Sequence, residues 1–135
     1  MRWLHETGTR WHVGLIRYKR QQNTNNTKIM NTNEQIVHDL AEAWRTLNPE
    51  LLIQHLAPEF QYDSMWVFES LDHDGYADYI RGKFNTIKNS GSSLTIHEVP
   101  GRNAIAIVQA AGEPTYYVIE IKDGKIVKGD LTAFI

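Results

Sequence analysis

Apolar side chains recur at helical spacing over Ile36, Val37, Leu40, Ala41, Trp44 and Leu47. Thr32-Asn33-Glu34-Gln35 precedes them as a capping box, with Thr32 as N-cap and Gln35 as its partner. A first helix is therefore predicted over Asn33–Leu47. Asn48-Pro49 ends it and opens a short second helix, because proline at a first helical position gives up an N–H that would be unpaired anyway. Leu51, Leu52, His55 and Leu56 form the apolar side of that helix, and Ala57-Pro58 stops it.

The period then changes from 3.6 to 2. Phe60, Tyr62 and Ser64 alternate with Gln61 and Asp63, and Trp66 and Phe68 carry the alternation into a second strand. Asp72-His73-Asp74-Gly75 is a turn able to cap a third helix over Tyr76–Asn89, with Tyr76, Ile80, Phe84 and Ile87 on one face. Antiparallel strands follow at Leu94–Val99, Ala104–Ala110, Thr115–Lys122 and Lys125–Phe134. Asp123-Gly124 between the last two is a two-residue type I′ hairpin signal. Counted out from that turn without interruption, the register sets Tyr117 opposite Asp130 and Ile119 opposite Lys128.

Length and composition narrow the class. A chain of 135 residues with 41% apolar and 22% charged residues is sized for one soluble domain. No apolar run approaches a membrane span. Without cysteine there is no disulfide, thiolate metal site or cysteine nucleophile, which suits a reducing cytoplasm. The net charge of −2 hides a split. Residues 1–29 carry six basic side chains against Glu6, a net of +5, and the remainder carries eight basic and fifteen acidic ones, a net of −7. The segment ends in the polar run Gln21–Thr27 and is read as a disordered or non-native extension, with Met30 an alternative start. Trp3, Trp11 and Tyr18 stand against that reading. The acidic remainder disfavours a nucleic-acid partner.

Candidate chemistry is sparse. Asp72-His73-Asp74 has adjacent rather than helical ligand spacing and serves as a cap, so no metal site is expected. His38, His55 and His97 lie on separate elements. No glycine-rich phosphate loop is present and no cofactor is expected. Asp63 alternates away from Tyr62 and Ser64, toward the face that solvent usually takes. Tyr117 and Asp130, set opposite each other by the hairpin count, form a hydrogen-bond donor and carboxylate pair.

The order α–α–β–β–α–β–β–β–β resembles the nuclear-transport-factor-2-like (NTF2-like) superfamily, also called SnoaL-like or ketosteroid-isomerase-like. The residues that carry the likeness are Trp44 through Leu56, Phe60-Gln61-Tyr62-Asp63-Ser64, Gly75 and Asp123-Gly124-Lys125-Ile126, within residues 33–134. The resemblance implies an α+β cone of cystatin-like type, a curved antiparallel sheet wrapped on three helices, with an apolar pocket and homodimers through the sheet. It spans isomerases, cyclases, dehydratases, hydrolases and binding modules, so fold does not give function. The three positions of the steroid-isomerase arrangement fall here on Leu40, Ser64 and Tyr117, and none keeps its residue. Within the implied cone, Trp44, Tyr62, Ser64, Trp66, Phe68 and His97 are the expected lining, and Tyr117, Asp130 and Asp63 the candidate proton-handling groups. A small apolar molecule is the expected partner, bound without catalysis. The alternatives are acid–base catalysis and an interaction module using the outer sheet.

Overall fold

The computed structural model describes residues 31–66, 69–110 and 112–135. Residues 1–30, on which the basic extension falls, and Val67 and Phe68 lie outside the described residues. The order is α1 (Thr32–Thr46), α2 (Glu50–Ile53), β1 (Leu56–Ser64), β2 (Leu71–Asp72), α3 (His73–Ser90), β3 (Leu94–Glu98), β4 (Ala104–Gln109), β5 (Thr115–Lys122) and β6 (Lys125–Thr132).

Helix ends follow their caps. The capping box of α1 sits one residue earlier than expected: the Asn31 side chain accepts from Glu34 N–H at 2.8 Å, and Glu34 accepts from Asn31 N–H at 3.1 Å. Asparagine is a stronger N-cap than threonine, which settles the competition. Asn48 accepts from Glu50 N–H at 3.2 Å, but the N-cap residue of α2 is Pro49, whose carbonyl accepts the first helical bonds. That helix stops at Ile53, and Ala57-Pro58 lies inside β1 rather than ending a helix. Asp72 caps α3 by accepting from Gly75 N–H at 2.8 Å.

The six strands form one curved, unclosed sheet in the order β2-β1-β6-β5-β4-β3. All neighbours are antiparallel except β1 and β6, which run parallel. The α+β class holds, with this one parallel pair set into the expected antiparallel sheet. The β5–β6 turn has Asp123 at φ 53° and Gly124 at φ 76°, as a type I′ hairpin requires. Lys122 faces Lys125 and Ile121 faces Ile126, but then Glu120 faces Lys128. Val127 is thus an extra residue in a β-bulge. Beyond it Tyr117 faces Leu131 and Val118 faces Asp130. The uninterrupted register expected from the turn is therefore off by one, and Asp130 moves to the other face of the sheet.

The helices cover one face. Phe60, Tyr62, Ile105, Ile107, Tyr117, Ile119 and Leu131 from that inner face join Ile36, Leu40, Trp44, Tyr76, Ile80 and Phe84 from the helices in one core. No helix among the described residues is long and apolar enough to cross a membrane.

Candidate functional site

Four tyrosines meet under the middle of the sheet. Tyr62 comes from β1, Tyr117 from β5, and Tyr76 and Tyr79 from the first turns of α3. Ring centroids are 4.6 Å apart for Tyr62–Tyr76, 5.8 Å for Tyr62–Tyr79, 6.1 Å for Tyr62–Tyr117 and 6.3 Å for Tyr76–Tyr117. Phe60 lies 5.2 Å from Tyr76 and extends the layer. The local cause is simple. Tyr62 and Tyr117 occupy inward positions of their strands, and residues 76 and 79 are neighbours on one helical face.

Gly129 makes room for this packing. A Cβ built there would stand 2.5 Å from the Tyr117 hydroxyl and 2.8 Å from a ring carbon. Only glycine lets the Tyr117 ring lie flat across β6 at this point.

The layer is buried at its centre. Tyr76, Tyr117 and Tyr62 are 0%, 1% and 2% exposed. Burial pushes all three phenols well above their ordinary range. Neighbouring phenols push Tyr62 and Tyr76 further in the same direction, while contact with Tyr76 partly offsets the rise at Tyr117. They are neutral hydrogen-bond donors at any physiological pH. The hydroxyls of Tyr76 and Tyr117 are near enough to alter each other's acidity, yet Tyr76 makes no hydrogen bond of ordinary geometry among the described residues. Trp44 Nε1 is likewise buried without a partner among the described residues. Its ring packs edge-on against Phe84 at 4.8 Å. Most buried polar groups are paired, so each of these two calls for an explanation.

Tyr79 is the half-buried side of the layer. Lys83, one turn further along α3, donates to its hydroxyl at 3.4 Å and lies 5.7 Å from its ring centroid.

Of the sequence-derived residues, the structure brings Tyr62 and Tyr117 together. Ser64 follows Tyr62 on the same strand face, half-buried. Trp44 packs elsewhere in the core, against Phe84. Trp66 sits in the turn after β1 and is 55% exposed, and Phe68 lies outside the described residues. Asp63 and Asp130 are direct partners across β1 and β6 on the outer face, with the sheet between them and the tyrosine rings. Ser70 donates to Asp63 through a short hydrogen bond, and Gln61 donates to it at 3.2 Å. His97 also faces outward, paired with Ala106. Burial, then the Arg45 charge, holds its imidazole below the usual range. His38 contacts Glu98 at 3.1 Å and His55 contacts Asp39 at 2.8 Å. Among the described residues no group of three or more His, Cys, Asp or Glu is placed to hold a metal ion.

Sequence reasoning passed over Lys83 and Gly129, and read Tyr76 and Tyr79 only as core. The spacing of Tyr76, Tyr79 and Lys83, at i, i+3 and i+7, is the signal that places them on one helical stripe. Gly129 had no such signal, because its partner depends on the bulge.

The backbone likeness to solved structures is consistent. A SnoaL-like protein of unknown function from Burkholderia thailandensis aligns at 18% identity over 74% of this chain and 92% of its own, with a TM-score of 0.58. The chain has the NTF2-like fold. An NTF2-like protein of unknown function from Cytophaga hutchinsonii aligns at 12% identity over 78% and 91% of the two chains, TM-score 0.52. TerC, co-crystallised with polyporic acid, aligns at 12% identity over 75% and 90%, also at 0.52. These likenesses show the NTF2-like fold alone. No protein-family model matches the sequence, and no curated protein matches it.

Proposed function

We propose that this chain uses its NTF2-like fold to bind a small, largely apolar molecule in the tyrosine layer. The Tyr76 hydroxyl, fully buried beside that of Tyr117 but with no hydrogen bond of ordinary geometry among the described residues, carries the reading. A buried donor without an acceptor costs about 1–3 kcal/mol, and a ligand oxygen that accepts from it removes the cost. Tyr117 stands beside it as a second neutral donor. Apolar walls with a few convergent polar groups are what a small-molecule site requires. TerC, a solved structure of similar fold, was co-crystallised with polyporic acid.

Binding fits better than acid–base catalysis. Among the described residues the tyrosine layer holds phenols and no carboxylate or imidazole, so it donates hydrogen bonds but holds no group to take up a proton near neutral pH. Asp63, Asp130 and His97, the groups that would do so, face the other way. Native mass spectrometry of protein purified from its own host tests the reading. The expected result is bound small-molecule mass that is lost in Tyr76→Phe. A clean apo species, or equal occupancy in Tyr76→Phe, would refute it.

The outer sheet face supports a second copy as the protein partner. Ala104, Ala106, Val108 and Val118 form its middle together with Tyr116. Sedimentation of the wild type as a dimer and of Val118→Glu as a monomer is the expected result; a monomeric wild type would remove this reading.

A further inference from the structure

We propose that residues 1–29 of this chain dock across the ends of β1 and β6, where their tryptophans cover an exposed apolar cluster. Among the described residues, the large apolar side chains left exposed are Met65, Trp66, Phe134 and Ile135, between 47% and 75%. All four fall at one place. Met65 N–H donates to the Leu131 carbonyl at 3.1 Å, and the Met65 sulfur accepts from Ala133 N–H at 3.1 Å. Trp66 follows Met65, and Phe134 and Ile135 follow Ala133, so the two strand ends present one surface. A large apolar side chain exposed singly needs no explanation, but four together mark a contact.

The rim of this cluster is acidic. Asp63 and Asp130 stand side by side across β1 and β6, two residues before Met65 and Thr132. Glu69 adjoins Ser70, whose hydroxyl donates to Asp63. No lysine or arginine of the described residues pairs with any of the three. Lys128, the nearest cation along β6, faces Gln61 and Glu120 instead. Carboxylates directly opposite each other on paired strands repel. Glu59, Glu120 and Asp123 also lack ion pairs, so the apolar cluster selects the place and the acids select the sign of the partner.

The N-terminal segment has the complementary composition. It carries +5 against −7 for the rest of the chain. Each of its aromatics adjoins a basic side chain, in Arg2-Trp3, Arg10-Trp11 and Arg17-Tyr18-Lys19. A ring beside a cation suits an apolar surface edged with carboxylates. Two copies meeting cluster to cluster would instead bring like charges together. Reach is sufficient. Asn31 caps α1 beside the β5–β6 turn, where a Cβ built on Gly124 would stand 3.9 Å from a Thr32 methyl. The eight residues of β6 set the cluster about 25 Å from that turn. The 13 residues from Tyr18 to Asn31 extend to about 43 Å, so Tyr18, Trp11 and Trp3 can all arrive. The outer face of β4 and β5 is left to the second copy.

Two measurements on the full-length chain test this contact. Trypsin cuts after Arg10, Arg17 and Lys19, and docking should slow these cuts about tenfold relative to the Trp66→Ser, Phe134→Ser double variant, the factor for a form docked about nine-tenths of the time. Both substituted side chains are exposed, and unchanged circular dichroism establishes that the variant is folded. Carbodiimide joins a lysine to a carboxylate in direct contact. Lys19 should couple to Asp63, Asp130 or Glu69 in wild type and lose that coupling in the variant. A mixture of isotope-labelled and unlabelled protein shows whether each link lies within one chain. Equal cleavage rates in wild type and variant, or absence of the Lys19 links from wild type, would overturn the proposal. Links that join labelled to unlabelled chains would give the surface to a neighbouring copy's segment and overturn docking within the chain.

Discussion

Tyr76→Phe makes an unusual demand on this protein: the unliganded form should become more stable. The substitution removes one oxygen and leaves the ring contacts with Phe60, Tyr62, Tyr79 and Tyr117 in place. The hydroxyl is fully buried and has no hydrogen bond of ordinary geometry among the described residues, so folding strips it of water without replacement. Leaving such a group unsatisfied costs about 1–3 kcal/mol. The gain should fall toward the lower end, since Tyr117 lies near enough to offer partial compensation. A gain of about 1 kcal/mol corresponds to a rise in Tm of roughly 3–6 °C for a domain of this size. Differential scanning calorimetry of ligand-free protein, before and after the substitution, is the assay. The same variant should bind ligand more weakly, so stability and function move in opposite directions, as expected where a site is held unsatisfied for its ligand. A fall in Tm of the unliganded variant would refute the reasoning, because it would mean that the hydroxyl is already bonded. Repeating the measurement in a Tyr117→Phe background identifies the bond: if the two hydroxyls share one, the effects of the substitutions will not add.

Three further predictions concern the same interior and its supports. Gly129→Ala should destabilise by about 1–3 kcal/mol through the clash with the Tyr117 ring, read as a lower denaturant midpoint, and wild-type stability would show that the ring has room. Alkaline pH should unfold the protein cooperatively: Tyr62, Tyr76 and Tyr117 keep their protons when folded and release them near pH 10 when unfolded, so stability falls above that pH by about 4 kcal/mol per pH unit for the three. Tyrosinate absorbance should then rise in step with loss of circular dichroism, and a gradual titration of all six tyrosines without unfolding would contradict this. Asn31→Ala should cost about 1 kcal/mol by removing the cap of α1, measured by chemical denaturation, whereas Thr32→Ala should cost less.

Much of this fold was legible along the chain, and particular residues show why. The helical repeat from Ile36 to Leu47, the Asn48-Pro49 break and the Asp123-Gly124 turn are local signals, set by backbone sterics and by which side chains leave water. They carried the element order, and with it the likeness to the NTF2-like fold, without any knowledge of contacts. The inward placement of Tyr62 and the outward placement of Asp63 followed from strand alternation alone. Errors at element ends were also local: Asn31 outcompeted Thr32 as a cap, and Pro58 was accommodated inside a strand.

What the sequence could not carry is whatever depends on how one strand registers against another. The extra residue at Val127 adds one to the count from the hairpin, and since side chains alternate with period two, that single residue turns Asp130 from the tyrosine face to the outer one. It also brings Gly129 beneath Tyr117, where a missing Cβ becomes the space for a ring. The parallel pairing of β1 with β6 sets Asp63 beside Asp130 on the outer face, from which Asp130 acts on the Tyr62 and Tyr117 phenols only through its charge. The sequence determined which segments are helices and strands because those choices are made within a few residues. The tertiary structure alone decided which polar groups share the interior, because that choice rests on strand register, which one bulged residue in the β5–β6 hairpin shifts and which joins β1 to β6 across more than sixty residues.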